Sequence, residues 1–286
     1  MKEIRRGDAR YPQALLEREG GPSSIYLIGD ETILEMAPQR LVAIVGTREA
    51  TAYGVRVASA LAGEFAKCGI GVVSGLARGI DAAAHRGALE AGGKTIAVMG
   101  TGADVPYPVG HRALHAEIAE KGLVLSENAP GSPAYQGCFP RRNRLIAALA
   151  RVTIVVEAPY KSGAINTATQ ALEAGRVVAA VPGPIDSPKS AGANLLLRDG
   201  AQIVHSIDDA LMLFGQTASG KPARCALGVL EAAVWDALED GAAIVEVISD
   251  RSGLPLRSTL EGVARLELSG LVRRGHGGEV ERVAIG

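Results

Sequence analysis

Seven short apolar runs recur along the chain, separated by stretches of helical periodicity, and no other feature limits its fold so tightly. LVAIVG (41–46), GVVSG (71–75), TIAVMG (95–100), LVLSEN (123–128), VTIVVEA (152–158), VVAAVPG (177–183) and AQIVHS (201–206) are apolar and rich in β-branched residues, which marks them as strands. Their hydrophobicity is continuous rather than alternating, as expected of strands covered on both faces. Strands that alternate with helices build βαβ units, so the expected fold class is α/β, a doubly wound, mainly parallel sheet. After Phe214 the pattern breaks. GQTASGKPAR (215–224) is rich in small and breaker residues and reads as a linker, so a second, smaller domain is expected from residue 225.

Composition agrees with this plan. With 286 residues, 47% of them hydrophobic, the chain is long enough for one good core and a small additional domain. Cys68, Cys138 and Cys225 are far apart and form no CxxC or Cys/His cluster, so neither a disulfide framework nor a metal site is expected, and a reducing cytoplasm fits best. The N-terminus lacks an apolar signal-like region, and no run approaches the roughly 18 to 20 apolar residues that span a bilayer. The expectation is a soluble protein without a membrane partner. A net charge of −1 gives no global sign of a nucleic-acid partner, so any such sign must be local.

In doubly wound sheets ligands bind beyond the carboxyl ends of the strands. The loops there are polar and glycine-rich: GTREATAYG (46–54), SGLARGIDAAAH (74–85), SENAP (126–130) and EAPYKSGAINTATQALEAG (157–175). Each offers amides at a helix start, with Arg48, Arg78 and Lys161 nearby, an arrangement suited to several phosphates. Standard nucleotide motifs are absent. GTREATAYG is not GxGxxG, and ALEAGGKT (88–95) has Ala88 in place of the first glycine of a phosphate loop and runs from helix to strand, the reverse of the required order.

The stretch GCFPRRNRLIAALA (137–150) stands out. Phe139-Pro140 suits a helix entry, and Leu145, Ile146 and Leu149 follow at helical spacing. Yet Arg141, Arg142 and Arg144 crowd a helix N-terminus, which already favours anions. From Tyr135 to Arg176 the count is six basic against two acidic residues, or +4. Tyr135, Phe139 and Tyr160 lie in the same loops, with Tyr53 and Tyr107 in neighbouring ones. Basic groups interleaved with rings suit single-stranded nucleic acid. The alternative is that the arginines cap carbonyls or pair with Asp81, Glu127 and Glu157 while the rings fill the core.

Taken in order, GTREATAYG, SGLARGIDAAAH, MGTGADVPYPVGHRAL, SENAPG, FPRRNRLIAALA, EAPYKSGAINTA and VPGPIDSPKSAGANLLLRDGA resemble the DNA-processing protein A (DprA, Smf) family, from about Tyr11 to Phe214. The resemblance implies an extended Rossmann-like domain over 40–214, with residues 1–39 as an extension packing on it. It also implies a homodimer that binds single-stranded DNA, protects it and loads RecA recombinase onto it during natural transformation, with no cofactor and no reaction. Carried over by position, the implied DNA contacts are Arg48, then Phe139, Arg141, Arg142, Asn143 and Arg144, then Lys161, Ser162, Gly163, Asn166 and Thr167. Arg78 joins them from the loop reading. The basic residues hold phosphates, Ser162, Asn166 and Thr167 donate hydrogen bonds, and Phe139 or a nearby tyrosine stacks a base. Apolar faces such as LMLF (211–214) are candidates for a symmetric contact.

Many family members carry an N-terminal helical domain before the segment corresponding to YPQALLE, and the expectation here is a chain without it. The region 225–286 reads as three helices and a β-wing, a winged helix as found in some members. From Arg224 onward, seven basic residues against ten acidic give −3, which disfavours phosphate neutralisation. Arg257, Arg265, Arg273 and Arg274 could still form one basic face, but a protein-contact or weak-DNA role is favoured over specific duplex binding. The expected fold also resembles that of the lysine-decarboxylase-like phosphoribohydrolases, which makes an enzyme the rival reading. Where their PGGxGTxxE motif supplies a catalytic Glu, however, this chain has Gln170, which cannot act as a general acid or base. Asp81 and His85 could pair on one helix face, and a structural hydrogen bond is the simpler role for them.

Overall fold

The computed structural model describes residues 1–17, 20–216, 228–238, 241–268, 271–275 and 277–282. The chain divides into two compact units, Met1–Phe214 and Gly215–Gly286.

The seven apolar runs form β3 (Leu41–Val45), β4 (Gly71–Ser74), β5 (Thr95–Met99), β6 (Leu123–Ser126), β7 (Val152–Val155), β8 (Val177–Ala180) and β9 (Gln202–Ile203). β3 to β7 are buried at every residue, which explains their unbroken hydrophobicity. Two strands not among those runs, β1 (Lys2–Arg5) and β2 (Ser24–Gly29), extend the sheet. Residues 1–39 therefore supply sheet as well as packing. In β2, buried Ile25 and Leu27 alternate with half-buried Ser24, Tyr26 and Ile28, the pattern of an antiparallel strand near an edge.

The order is β1-β2-β6-β5-β4-β3-β7-β8-β9. β1–β2 and β2–β6 pair antiparallel, and every other neighbour pairs parallel. The helices of this unit are α1 (Gln13–Leu16), α2 (Ala52–Lys67), α3 (Ile80–Glu90), α4 (Arg112–Lys121), α5 (Cys138–Leu149), α6 (Gly163–Glu173), α7 (Ala191–Arg198) and α8 (Ile207–Met212). From β3 the chain builds outward through β4, β5 and β6. It then returns over the sheet in α5 and resumes beside β3 with β7. The sheet reverses direction between β3 and β7, where a doubly wound fold opens its ligand crevice.

α2 shows why one helix face is buried. Thr51 caps it by accepting from Gly54 N at 3.1 Å, Ala58, Leu61, Ala62 and Phe65 form its inner stripe, and Gly69, at φ +67°, ends it. A Cβ on Gly87 of α3 would lie 2.2 Å from Ser59 O, so close packing of α3 on α2 requires glycine there. On the other face of the sheet, Leu145, Ile146 and Leu149 of α5 are 0–2% exposed. Truncating one of them to alanine would cost about 2–5 kcal/mol.

The second unit has α9 (Val229–Ala237), α10 (Val245–Ser252), α11 (Leu256–Leu268) and a ribbon of β10 (Val272–Arg274) and β11 (Val280–Arg282). Its own core includes Val234, Trp235, Ile248, Val263 and Leu266. The linker read over 215–224 lies outside the described residues from 217 onward, as do Arg224 and Cys225. Among the described residues no helix is long and apolar enough to cross a membrane.

Candidate nucleic-acid interface

A cleft of about 470 Å³ opens at the β3/β7 reversal. The loop after β3 supplies Gly46, Thr47, Arg48 and Glu49, the loop after β4 supplies Ala77 and Arg78, α5 supplies Phe139, Arg142 and Asn143, and the start of α6 supplies Ser162, Gly163 and Thr167. A second pocket, of about 210 Å³, shares Arg48, Arg78, Phe139 and Arg142 and adds Tyr107 and Pro108. Eight of the twelve sequence-predicted residues thus line one cavity. Arg141, Arg144, Lys161 and Asn166 do not.

The cationic groups differ in setting. Arg48, Arg78 and Lys161 are exposed, and no salt bridge to any of them occurs among the described residues. The Arg48 guanidinium lies over the Phe139 ring, 5.3 Å from its centroid. Tyr107 packs on the same ring at 5.1 Å. Phe139 can sit this low because Gly100 has no side chain, and a Cβ there would stand 2.8 Å from the ring. Sequence reasoning placed Tyr107 only in a neighbouring loop, because spacing carries no signal that two distant loops will bring these rings together.

Arg142 departs from the expectation of a surface phosphate contact. It is 4% exposed and donates to Gly75 O at 2.7 Å and to Val98 O. Burial lowers its pKa to about 10 against the opposing pull of Asp81. Asp81 accepts from Gly75 N at 3.1 Å, and burial pushes its carboxyl up while Arg142 draws it down. The guanidinium therefore forms the floor of the cleft. The signal was present in the sequence: Arg142, Leu145, Ile146 and Leu149 share the i, i+3, i+4, i+7 face that the helix buries.

Arg144 and Arg141 both meet Glu127, at 2.5 and 3.1 Å. The Glu127 side chain is 2% exposed, that of Arg144 14% and that of Arg141 57%, so of the three only Arg141 extends into solvent. Glu127 raises the Arg141 pKa. The pairing alternative thus holds for Arg144 with Glu127, and carbonyl capping holds for Arg142.

At the start of α6, Ser162 caps the helix by accepting from Ile165 N at 3.4 Å. Asn143 Nδ2 donates to Gly163 O and to Asn166 Oδ1, both at 3.1 Å. Buried Thr167 donates to Gly163 O at 3.0 Å, so its hydroxyl proton is committed within the helix and not offered to a ligand. Glu157 has a role that the sequence did not assign. Its buried carboxylate accepts from Thr51 N at 2.9 Å and Thr51 Oγ1 at 2.5 Å, and a Cβ on Gly54 would stand 2.3 Å from it. The helix start that receives pyrophosphate in dinucleotide folds is filled from within by a carboxylate, in keeping with the missing GxGxxG.

Asp81 and His85 do not pair with each other: His85 Nδ1 meets Thr95 Oγ1 at 2.7 Å. Gln170 donates to Glu173 at 2.8 Å. No cluster of three or more His, Cys, Asp or Glu that could hold a metal occurs among the described residues. In the second unit Arg265 pairs with Glu231 and Glu261, Arg273 with Glu281, and Arg274 with Glu267, while exposed Leu256, Leu260 and Leu268 occupy α11. Three of the four arginines considered for a basic face are thus neutralised locally.

Fold and cleft together define a Rossmann-like α/β protein with a basic, aromatic-walled crevice at its switch point and a separate winged-helix unit. The chain belongs to the DNA recombination-mediator protein A family, whose model matches residues 2–215, and the DprA winged helix domain matches residues 218–278. It is 46% identical over 258 residues to a putative DNA processing protein DprA of Mycobacterium tuberculosis, covering 87% of this chain and 66% of that one, so it spans about two thirds of that relative's length. It is 42% identical to DprA of Streptococcus pneumoniae over 72% of each chain. The solved S. pneumoniae DprA superposes with a TM-score of 0.70 at 40% identity, over 74% of this chain and 73% of that one. A Helicobacter pylori DprA structure, described for its unique single-stranded DNA binding mode, gives 0.66 at 33% identity, over 74% of this chain and 94% of that one.

Proposed function

We propose that this protein binds single-stranded DNA in the β3/β7 cleft without acting on it chemically, and that it protects incoming DNA and loads RecA recombinase in the cytoplasm, as a homodimer, during natural transformation. One observation carries the DNA reading: Arg48 and Arg78, exposed and without salt bridges among the described residues, line one cleft together with the half-buried Phe139 ring. Arg48, Arg78 and Lys161 hold phosphates, Arg141 adds an outer contact, and Arg142 supplies charge from beneath. Ser162, Gly163 and Asn166 shape the anion-favouring start of α6, and Phe139, braced by Tyr107, receives a base. The single-stranded DNA binding described for the H. pylori relative supports this reading, and the description of the family as a recombination mediator supports the RecA step.

The phosphoribohydrolase alternative lacks its acid. Gln170 stands where the glutamate would be, and an amide moves no proton. Equilibrium binding of one labelled oligonucleotide, single-stranded and then annealed to its complement, tests the proposal. Tighter binding of the single strand supports it, whereas equal binding or a preference for duplex would refute it.

A further inference from the structure

The basic cleft is not the last cavity on the carboxyl rim of the sheet. Towards β8 lie two others, of about 420 and 390 Å³, within the range of small-ligand pockets. Both are walled by Tyr53 and Pro182. The loops that edge the basic cleft lead directly into the first, from Glu49 to Thr51 and from Pro159 back to Glu157. The second is lined by Arg56, Val57, Leu61 and Val181.

Tyr53 is 42% exposed, and its side chain makes no hydrogen bond or ring contact among the described residues. Arg56, one turn further along α2, is also exposed and forms no ion pair among them. Glu157, which lines the first cavity, has its carboxylate engaged by Thr51. A flat ring standing between two cavities, with a guanidinium one turn away, repeats the chemistry of Phe139 with Arg48: a face for a base and a cation for a phosphate. Rim continuity makes the ligand a further nucleotide of the same strand.

We propose that Tyr53 and Arg56 form a second nucleotide subsite, carrying the strand from the basic cleft across the ends of β3 and β7 to β8. Tyr53 stacks a base and Arg56 contacts a phosphate. This inference rests on the reading of the basic cleft as a single-stranded DNA site.

The test uses the full chain and oligothymidylates of about 4 to 16 nucleotides, the range of single-strand site sizes. Wild type, Tyr53→Ala, Tyr53→Phe and Arg56→Ala are compared after matched thermal unfolding. The shortest oligomer should bind all four proteins equally. For the longest, Tyr53→Ala should weaken binding by about five- to a hundred-fold, Tyr53→Phe should restore it, and Arg56→Ala should flatten the salt slope by about 0.7. Unchanged affinity of Tyr53→Ala at every length, or an equal loss at every length, would overturn the subsite and leave the cleft standing. A wild type that binds no oligomer would overturn both.

Discussion

Arg142 Nη1 donates to the carbonyl of Gly75 at 2.7 Å, and a Cβ on residue 75 would stand 2.5 Å from that nitrogen. A glycine after β4 and an arginine from α5 therefore close the floor of the cleft together, with Asp81 as the buried counter-charge. Arg142→Ala would leave the buried carbonyls of Gly75 and Val98 without this donor and Asp81 without its neighbouring cation, at a cost of about 1–3 kcal/mol. Urea unfolding measures the loss, and a change below about 1 kcal/mol would contradict this role.

Arg48 and Tyr107 both pack on the half-buried Phe139 ring. Phe139→Ala should weaken single-strand binding by about 1–3 kcal/mol, and by similar amounts for thymine and adenine oligomers, because every base has a π-face. A loss confined to one base would point to hydrogen-bond readout instead.

Glu127 holds two arginines with a carboxylate that is 2% exposed. Glu127→Gln should lower stability by about 1–3 kcal/mol, since half-buried Arg144 loses its charged acceptor. It should also tighten DNA binding at low salt by removing a negative charge beside Arg141. Weaker binding in the folded variant would mean that Glu127 mainly positions the arginines.

His85 sets a pH dependence. Thr95 Oγ1 donates to Val72 O at 3.0 Å, so it must accept from His85 Nδ1, and the neutral ring leaves Nε2 buried without a partner among the described residues. Burial first, then the charge of Arg142, lowers the His85 pKa from 6.5 to about 3. Between those values the unfolded chain takes up a proton that the folded chain refuses. Stability therefore falls as pH drops below about 6.5, by about 1.4 kcal/mol per unit at most. Asp81, with a raised pKa, contributes the opposite slope, so wild type is compared with His85→Gln. The variant should lose less stability than wild type between about pH 6 and pH 4, and identical slopes would contradict the assignment.

The parallel strands were legible because burial on both faces leaves unbroken apolar runs. β1 and β2 were not, because KEIR is mostly charged and SIYLIG faces the core on one side only. The rim loops were legible from the rule that ligands gather at strand ends. The direction of Arg142 was within reach of helical periodicity, yet composition drew it into the basic patch. The packing of Tyr107 on Phe139 and the filling of the α2 start by Glu157 join residues far apart in the chain, and only the tertiary fold brings them together.

On the proposed reading, exposed Arg48, Arg78 and Lys161 hold the phosphates of a single strand. Its most direct test is the salt dependence of single-strand affinity for wild type and for the Arg48/Arg78/Lys161→Ala protein, with unfolding curves alongside. Stability should match, with surface changes within about 0.5 kcal/mol per site, while binding becomes much weaker and the log–log slope shallower by about 2, or about 0.7 per lost contact. A folded triple variant that keeps wild-type affinity and slope would contradict it.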